Sequence, residues 1–169
     1  TTRLVGIARP SRLADLRSSV SGPIIEVAVR DNDRVKAGDV LVRLDDRIQQ
    51  AAVKVAQVEA LRVGSLSLAQ IELRLAEQQL QRVTRAFERQ AGSQFEVDEK
   101  TSVRDQARAK VTIEQESQAR AQANLERALA ELDEYTIRAP FDGDVVQVHQ
   151  QPGATVDRTI PVVTIAERK

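Results

Sequence analysis

The sequence contains no cysteine, methionine or tryptophan, and its aromatic residues are three Phe and one Tyr. Without cysteine there are no disulfides, thiolate metal ligands or cysteine nucleophiles, and the compartment stays open because disulfide-free proteins occur everywhere. So few aromatics exclude an aromatic-rich core and a stacking surface for bases. Neither sign of charge dominates, since Lys+Arg and Asp+Glu each total 25, and no basic excess points to nucleic acid. No stretch approaches the roughly 18 uncharged residues of a membrane span. Nothing resembles a phosphate loop, a zincin helix or a nucleophile elbow, so no enzyme is expected. The chain opens Thr1-Thr2-Arg3, and a matured or excised form is expected, with any signal or lipid anchor outside it.

Proline is scarce, and its placement divides the chain. The five are Pro10, Pro23, Pro140, Pro152 and Pro161; from Asp39 to Ala139 there is none, and the only glycines there are Gly64 and Gly92. So long an unpunctuated stretch predicts continuous helix. The flanks, residues 20–44 and 139–165, are short Val/Ile/Leu runs split by Gly, Pro, Asn and Asp, which is strand-and-turn chemistry. Within the helical stretch, Arg85 and Arg89 precede Gly92 and suit a helix C-terminus, while Ser93-Gln94-Phe95-Glu96 reads as a capping box. The expectation is a first helix ending near Ala91, Gly92 in the left-handed C′ position and Ser93 capping a second helix. Asp46-x-x-Gln49 is a weaker start signal for the first. The arms, 46–91 and 94–138, are each about 45 residues, or roughly 68 Å at 1.5 Å per residue. Two equal helices joined by a tight turn predict an antiparallel hairpin.

Apolar periodicity agrees. Leu66, Ala69, Leu73, Ala76, Leu80, Val83 and Phe87 step by three and four in the first arm, as a coiled-coil seam does. Ala107, Val111, Ala121, Leu125, Ala128, Leu132 and Tyr135 do so in the second, interrupted by polar Glu114 and Gln118. A second stripe, Val58, Leu61, Leu68 and Leu75, falls roughly 140° from the first on a continuous helix. It is either the edge of a broad seam or a surface that a neighbouring protomer covers.

The strand-rich flanks repeat each other at a constant offset of 121 residues: Gly22 with Gly143, Ile24-Ile25 with Val145-Val146, Val27 with Val148, Val35 with Val156, Leu41-Val42 with Val162-Val163, and Leu44 with Ile165. Asn32 falls opposite Gly153, a pairing that fits a left-handed turn position. Neither copy is long enough to bury its apolar face alone, so the two are expected to pack into one β-sandwich.

Ser21-Gly22-Pro23-Ile24-Ile25-Glu26-Val27 and Asp33-Arg34-Val35-Lys36-Ala37-Gly38-Asp39-Val40-Leu41-Val42-Arg43-Leu44-Asp45 resemble the first half of a biotinyl/lipoyl-type domain, and Ala139-Pro140-Phe141-Asp142-Gly143-Asp144-Val145-Val146 resembles the start of the second. A helical hairpin inserted between such halves is the arrangement of periplasmic adaptor proteins, or membrane fusion proteins, of tripartite efflux pumps and type I secretion systems. The resemblance spans about residues 13–166. It implies an α+β fold: a lipoyl-like β-sandwich of residues 12–45 and 139–169, a coiled-coil hairpin of 46–138 with its tip near 91–94, and in 1–11 a remnant strand of a β-barrel or membrane-proximal region.

Many adaptors of the resistance-nodulation-division type carry Arg-x3-Leu-x6-Ser at the hairpin end, where they dock onto the outer-membrane channel. Arg82 and Ser93 keep that spacing, but the leucine position is Ala86, with Phe87 beside it as the substitute apolar contact. The resemblance thus implies channel docking by Arg82, Phe87 and Ser93, and adaptor–adaptor contact through Val58, Leu61, Leu68 and Leu75 in a ring, hexameric in many members. It further implies an inner-membrane transporter as partner, a periplasmic location with an anchor outside this chain, efflux of small molecules, no nucleic acid and no cofactor. A type I protein-secretion adaptor is the alternative. A biotin or lipoyl carrier is disfavoured, because the connection after Leu44-Asp45 that would hold the modified lysine is replaced by helix and neither Lys36 nor Lys54 has a carrier context. His149, the single histidine, aligns with Ala28 and reads as a sandwich-surface residue, while Asp45-Asp46 and Asp142-Gly143-Asp144 read as cap and turn residues.

Overall fold

A computed structural model describes residues 12–168; the strand expected in residues 1–11 lies outside the described residues. The chain divides into two compact units, one running to Ala51 and resuming at Leu129, the other spanning Ala52–Ala128.

The first unit is a sandwich of two four-stranded antiparallel sheets. Its strands are β1 (Leu13–Arg17), β2 (Gly22–Val27), β3 (Arg34–Val35), β4 (Val40–Leu44), β5 (Thr136–Arg138), β6 (Gly143–Val148), β7 (Thr155–Val156) and β8 (Pro161–Glu167). The sheet orders are β1-β8-β6-β3 and β5-β4-β2-β7. Each half therefore lends its short strand to the other half's sheet: β7 pairs with β2, and β3 with β6. The 121-residue offset holds at the level of single hydrogen bonds. Asn32 N donates to Val145 O at 2.7 Å, and its counterpart Gly153 N donates to Ile24 O at 2.8 Å. Ala28 N to Leu41 O and His149 N to Val162 O are a second such pair, both 2.9 Å. Asn32 and Gly153 share the left-handed backbone, at φ 71° and 92°, as their alignment predicts.

The core follows the same rule. Ile24, Leu41, Val42 and Leu44 are buried together with their counterparts Val145, Val162, Val163 and Ile165, so a single apolar layer is built from both ends of the chain. The repeat also starts earlier than the sequence reading placed it. Ile137 pairs with Val42 as Leu16 pairs with Val163. Residues 136–138, read as the end of the hairpin, are strand β5, and Tyr135, read as a seam residue, packs against the sandwich core. The tyrosine also receives a hydrogen bond from Gln49 Nε2 at 2.9 Å. One difference between the halves is steric. A Cβ on Gly143 would stand 2.2 Å from the Ala166 carbonyl oxygen, whereas Gly22 has open space, because β8 runs on past Ile165 and pairs with Gly143.

Three helices make up the remainder: α1 (Arg47–Ala60), α2 (Gly64–Glu88) and α3 (Gln94–Asp133). The expected start signal works differently from its reading: the buried Asp46 carboxylate accepts from Gln50 Nε2 at 2.8 Å. In the second unit, Lys110 Nζ meets Glu72 at 2.6 Å and Arg108 meets Glu77 at 3.6 Å. Advancing along α2 retreats along α3, so the pair is antiparallel and hairpin-like. The predicted seam of α2 is partly or fully buried from Leu66 to Val83, and α3 buries Val111 and Ala128 with half-buried Glu114 and Gln118 on the same line.

The first arm is not continuous, contrary to the sequence expectation. Helix breaks at Leu61–Val63, and α2 restarts behind Val63 without a side-chain cap. The physical reason is phase. Ala56 and Ala60 are buried in α1, Leu66 is half-buried and Ala69 buried in α2; at 100° per residue, the step from Ala60 to Leu66 misses the shared face by roughly 120°. A continuous helix would turn Val63 and Ser67 inward in their place, and both are exposed. The break restores the phase. A cleft of about 780 Å³ opens there, lined in part by Glu59, Arg62, Glu114, Gln118 and Arg120, so the polar seam residues of α3 stand opposite the interruption.

Candidate partner interface at the helical turn

The turn between α2 and α3 gathers the residues the sequence singled out, though its capping differs from expectation. Helix α2 ends at Glu88, and Arg89 is the C-cap. Gln90 N donates to Phe87 O and Ala91 N to Ala86 O, both at 2.9 Å, the two bonds of a Schellman motif. The left-handed residue is thus Gln90, at φ 60°, and not Gly92. Gly92 serves close approach instead, since a Cβ there would lie 3.2 Å from Phe87 N. The capping box forms as read: Glu96 N donates to Ser93 Oγ at 3.2 Å, and Ser93 N donates to Glu96 Oε2 at 3.3 Å. Because Ser93 Oγ only accepts in that box, its hydroxyl proton stays available to another acceptor.

Charge at this turn is uneven. The carboxylates opening α3 have partners: Glu96 in the cap, Asp98 with Gln94 Nε2 at 2.8 Å, and Glu99 with Lys100 at 3.4 Å. Among the described residues, Arg82 and Arg85 on the last turns of α2 and the C-cap Arg89 make no ion pair, and neither does Glu88 between them. Spacings of three, four and seven place the three guanidinium groups on one face of the helix. Arg82 and Arg89 continue the line of Leu68 and Leu75 at seven-residue intervals, so this outer face changes from apolar to basic towards the turn.

Phe87 is 41% exposed, so it does not close the seam as the periodicity predicts. Phe95, which matches no seam, is 75% exposed. The signal for it was compositional: two of the chain's three phenylalanines lie within this turn region.

Val58, Leu61, Leu68 and Leu75 are all exposed, but they do not form one helical stripe. Val58 lies on α1, Leu61 in the break, and Leu68 and Leu75 on α2, so the angle assigned from a continuous helix does not apply. Ile48, Val55 and Ile71 are exposed as well.

Other candidates have local explanations. His149 Nε2 lies 2.8 Å from Thr164 Oγ1, whose proton goes to Asp15 Oδ1 at 2.6 Å; this chain fixes the imidazole on the sheet surface. Arg47 donates to Asp45, and that hydrogen bond holds the carboxyl below its ordinary range. Asp142 accepts from Ala37 N at 2.7 Å, across the two halves. Among the described residues, no group of three or more His, Asp or Glu is placed to hold a metal ion, and no helix is long and apolar enough to cross a membrane.

Comparison with known proteins adds a lineage to this geometry. The family model described as RND MFP, barrel-sandwich hybrid domain, matches residues 12–166. No curated protein sequence matches. Among solved structures, MacA from Actinobacillus actinomycetemcomitans superposes at a TM-score of 0.83 with 23% identity, over 94% of this chain and 50% of that one. The soluble domain of LipC, a membrane fusion protein of a type I secretion system, gives 0.55 with 16% identity, over 94% of this chain and 100% of that one. A MacA-MexA chimeric protein carrying the Pseudomonas aeruginosa MexA α-hairpin gives 0.51 with 24% identity, over 94% and 49%. The chain spans about half the length of MacA and of the chimera.

Proposed function

The chain belongs to the RND membrane fusion protein family as its barrel-sandwich hybrid domain, and from that premise we propose that it is the periplasmic adaptor part of a tripartite pump. It links an inner-membrane transporter to an outer-membrane channel for efflux of small molecules. The adaptor works without catalysis and without a cofactor: the transporter supplies the energy, and the adaptor seals and couples. Membership of the RND family favours efflux over type I secretion, which uses the same modules.

The observation that carries this reading is a helical pair inserted between two interlocked half-sandwiches and ending in an exposed turn beside unpaired arginines. In the proposed assembly α1, α2 and α3 form a coiled-coil hairpin. Arg82, Phe87 and Ser93 meet the channel, a guanidinium supplying five donors in a fixed fork and the cap serine its free proton. Val58, Leu61, Leu68 and Leu75 meet a neighbouring adaptor in a ring, where their burial is worth about 25 cal/mol per Å² before the costs of association. That ring is weak until transporter and channel are present.

Cross-linking in cells that assemble the pump tests both surfaces. Cysteine at Arg82 or Phe87 is expected to capture the channel, and cysteine at Leu61 or Leu68 a second adaptor. If Arg82→Asp left export and channel capture intact, the docking assignment would be wrong. Tip capture without any Leu68 adaptor dimer would reduce the second surface to the edge of the intramolecular seam.

A further inference from the structure

We infer that Phe95 is the apolar anchor of the hairpin end. It enters an apolar pocket in the outer-membrane channel whose rim carries carboxylate or carbonyl oxygens within reach of Arg82, Arg85 and Arg89. The inference rests on the adaptor reading and adds to it a residue and the chemistry of the surface it fits.

Three observations carry it. First, aromatic side chains are rare in this chain, and each of the others has a place. Tyr135 packs on the sandwich core, the half-buried Phe141 lies beneath the Arg12 guanidinium at 5.4 Å, and Phe87 keeps more than half of its surface covered. Phe95 alone among these four is three-quarters exposed. Leaving so large an apolar ring in water forgoes burial that a partner would recover. Second, it is rigidly presented. It stands two residues after the capping serine, in the first turn of a 40-residue helix fixed by reciprocal Ser93–Glu96 bonds, so little backbone freedom remains to be lost on docking. Third, the charge beside it is one-sided. The carboxylates of α3's first turns are engaged, whereas three arginines at the end of α2 are not, with Glu88 offsetting one. An aromatic flanked by uncommitted guanidinium groups matches the composition of interface hot spots, and its electrostatic complement is an oxygen-rich rim. Ala86 offers only a methyl group near the end of α2, so the apolar contact has to come from elsewhere on the turn. Phe87 is the poorer source, being partly turned into the hairpin.

The test uses the full-length adaptor in cells that assemble the pump. A photo-crosslinker on Ala91→Cys, exposed at the turn, reports channel capture. Phe95→Ala is expected to weaken capture by roughly 30-fold, as truncation of a central hot spot does. Phe95→Leu should retain most of it, and Arg85→Glu with Arg89→Glu should lower it together with its salt dependence. The melting temperature of Phe95→Ala should match the parent; a clear fall would mean that the ring packs within its own hairpin and would overturn the inference. Capture unchanged by Phe95→Ala but abolished by Arg82→Asp would sink the anchor while leaving tip docking in place. If neither substitution mattered, tip docking itself would fall.

Discussion

The two units bury different things. The sandwich closes over whole leucines, isoleucines and valines, with Leu41, Leu44, Val163 and Ile165 fully out of water. The helical unit buries Ala56, Ala60, Ala69, Ala76, Val111 and Ala128, while Leu61, Leu68, Ile71 and Leu75 stay outside. Alanine removes little apolar area, so the seam contributes less per residue than the sandwich core. Small seam residues bring two helices close, with Leu66, Leu73, Leu80 and Val83 half-buried beside them, and other large residues are left outside. One unit is stabilised by what it hides, the other is suited to what it shows.

That contrast can be broken or sharpened by substitution. The largest effect is expected from Leu44→Ala, a fully buried leucine between the sheets, which should cost about 3 kcal/mol in chemical denaturation. Next is a matched pair in the repeat: Gly143→Ala should cost about 2 kcal/mol because Cβ strikes the Ala166 carbonyl, and Gly22→Ala far less because nothing lies within 4 Å. Equal losses would mean that β6 and β8 separate easily and that the two halves are interchangeable. In the helical unit, Ser93→Ala removes the acceptor for Glu96 N and should cost about 1 kcal/mol, read as earlier helix loss by circular dichroism. Leu68→Gln, on the exposed outer face, should change stability by less than about 0.5 kcal/mol; a larger loss would show that the face is already packed in the isolated chain. The smallest effect concerns acid. Asp45 is held low by hydrogen bonds from Arg47, and Asp157 by hydrogen bonds from Thr159. A depressed carboxyl contributes stability that is present above the ordinary carboxylate range and lost as pH falls through the lowered value. Carbon-detected NMR titration should find both midpoints below the ordinary aspartate range.

The sandwich was legible because a duplicated sequence states each position twice: Asn32 is intelligible as left-handed once Gly153 stands opposite. Its one misplaced edge, β5, carried the same signal in Leu16-Arg17 against Ile137-Arg138, masked by the helical pattern running up to it. The helices were harder. Heptad phase was visible from Leu66 onward, but the clash between Ala56/Ala60 and Leu66/Ala69 appears only when both sets are placed on one wheel. Gln90 in the left-handed position had no signal, since glutamine gains nothing there and the Schellman bonds impose it. Phe95 carried no periodic signal because it lies off the seam.

The interruption at Leu61–Val63 works like an expansion joint in a rail. A paired rod of two uninterrupted helices accepts insertions or deletions only in multiples of its repeat, made in both arms at once, or its contacts rotate out of register. Here the buried faces of α1 and α2 would be out of phase on one continuous helix, and the short non-helical joint absorbs that mismatch in one arm alone. Changes in the length of that arm near residues 61–63 are therefore the ones the molecule can accommodate without rewriting the other, which leaves the reach of this arm adjustable one residue at a time.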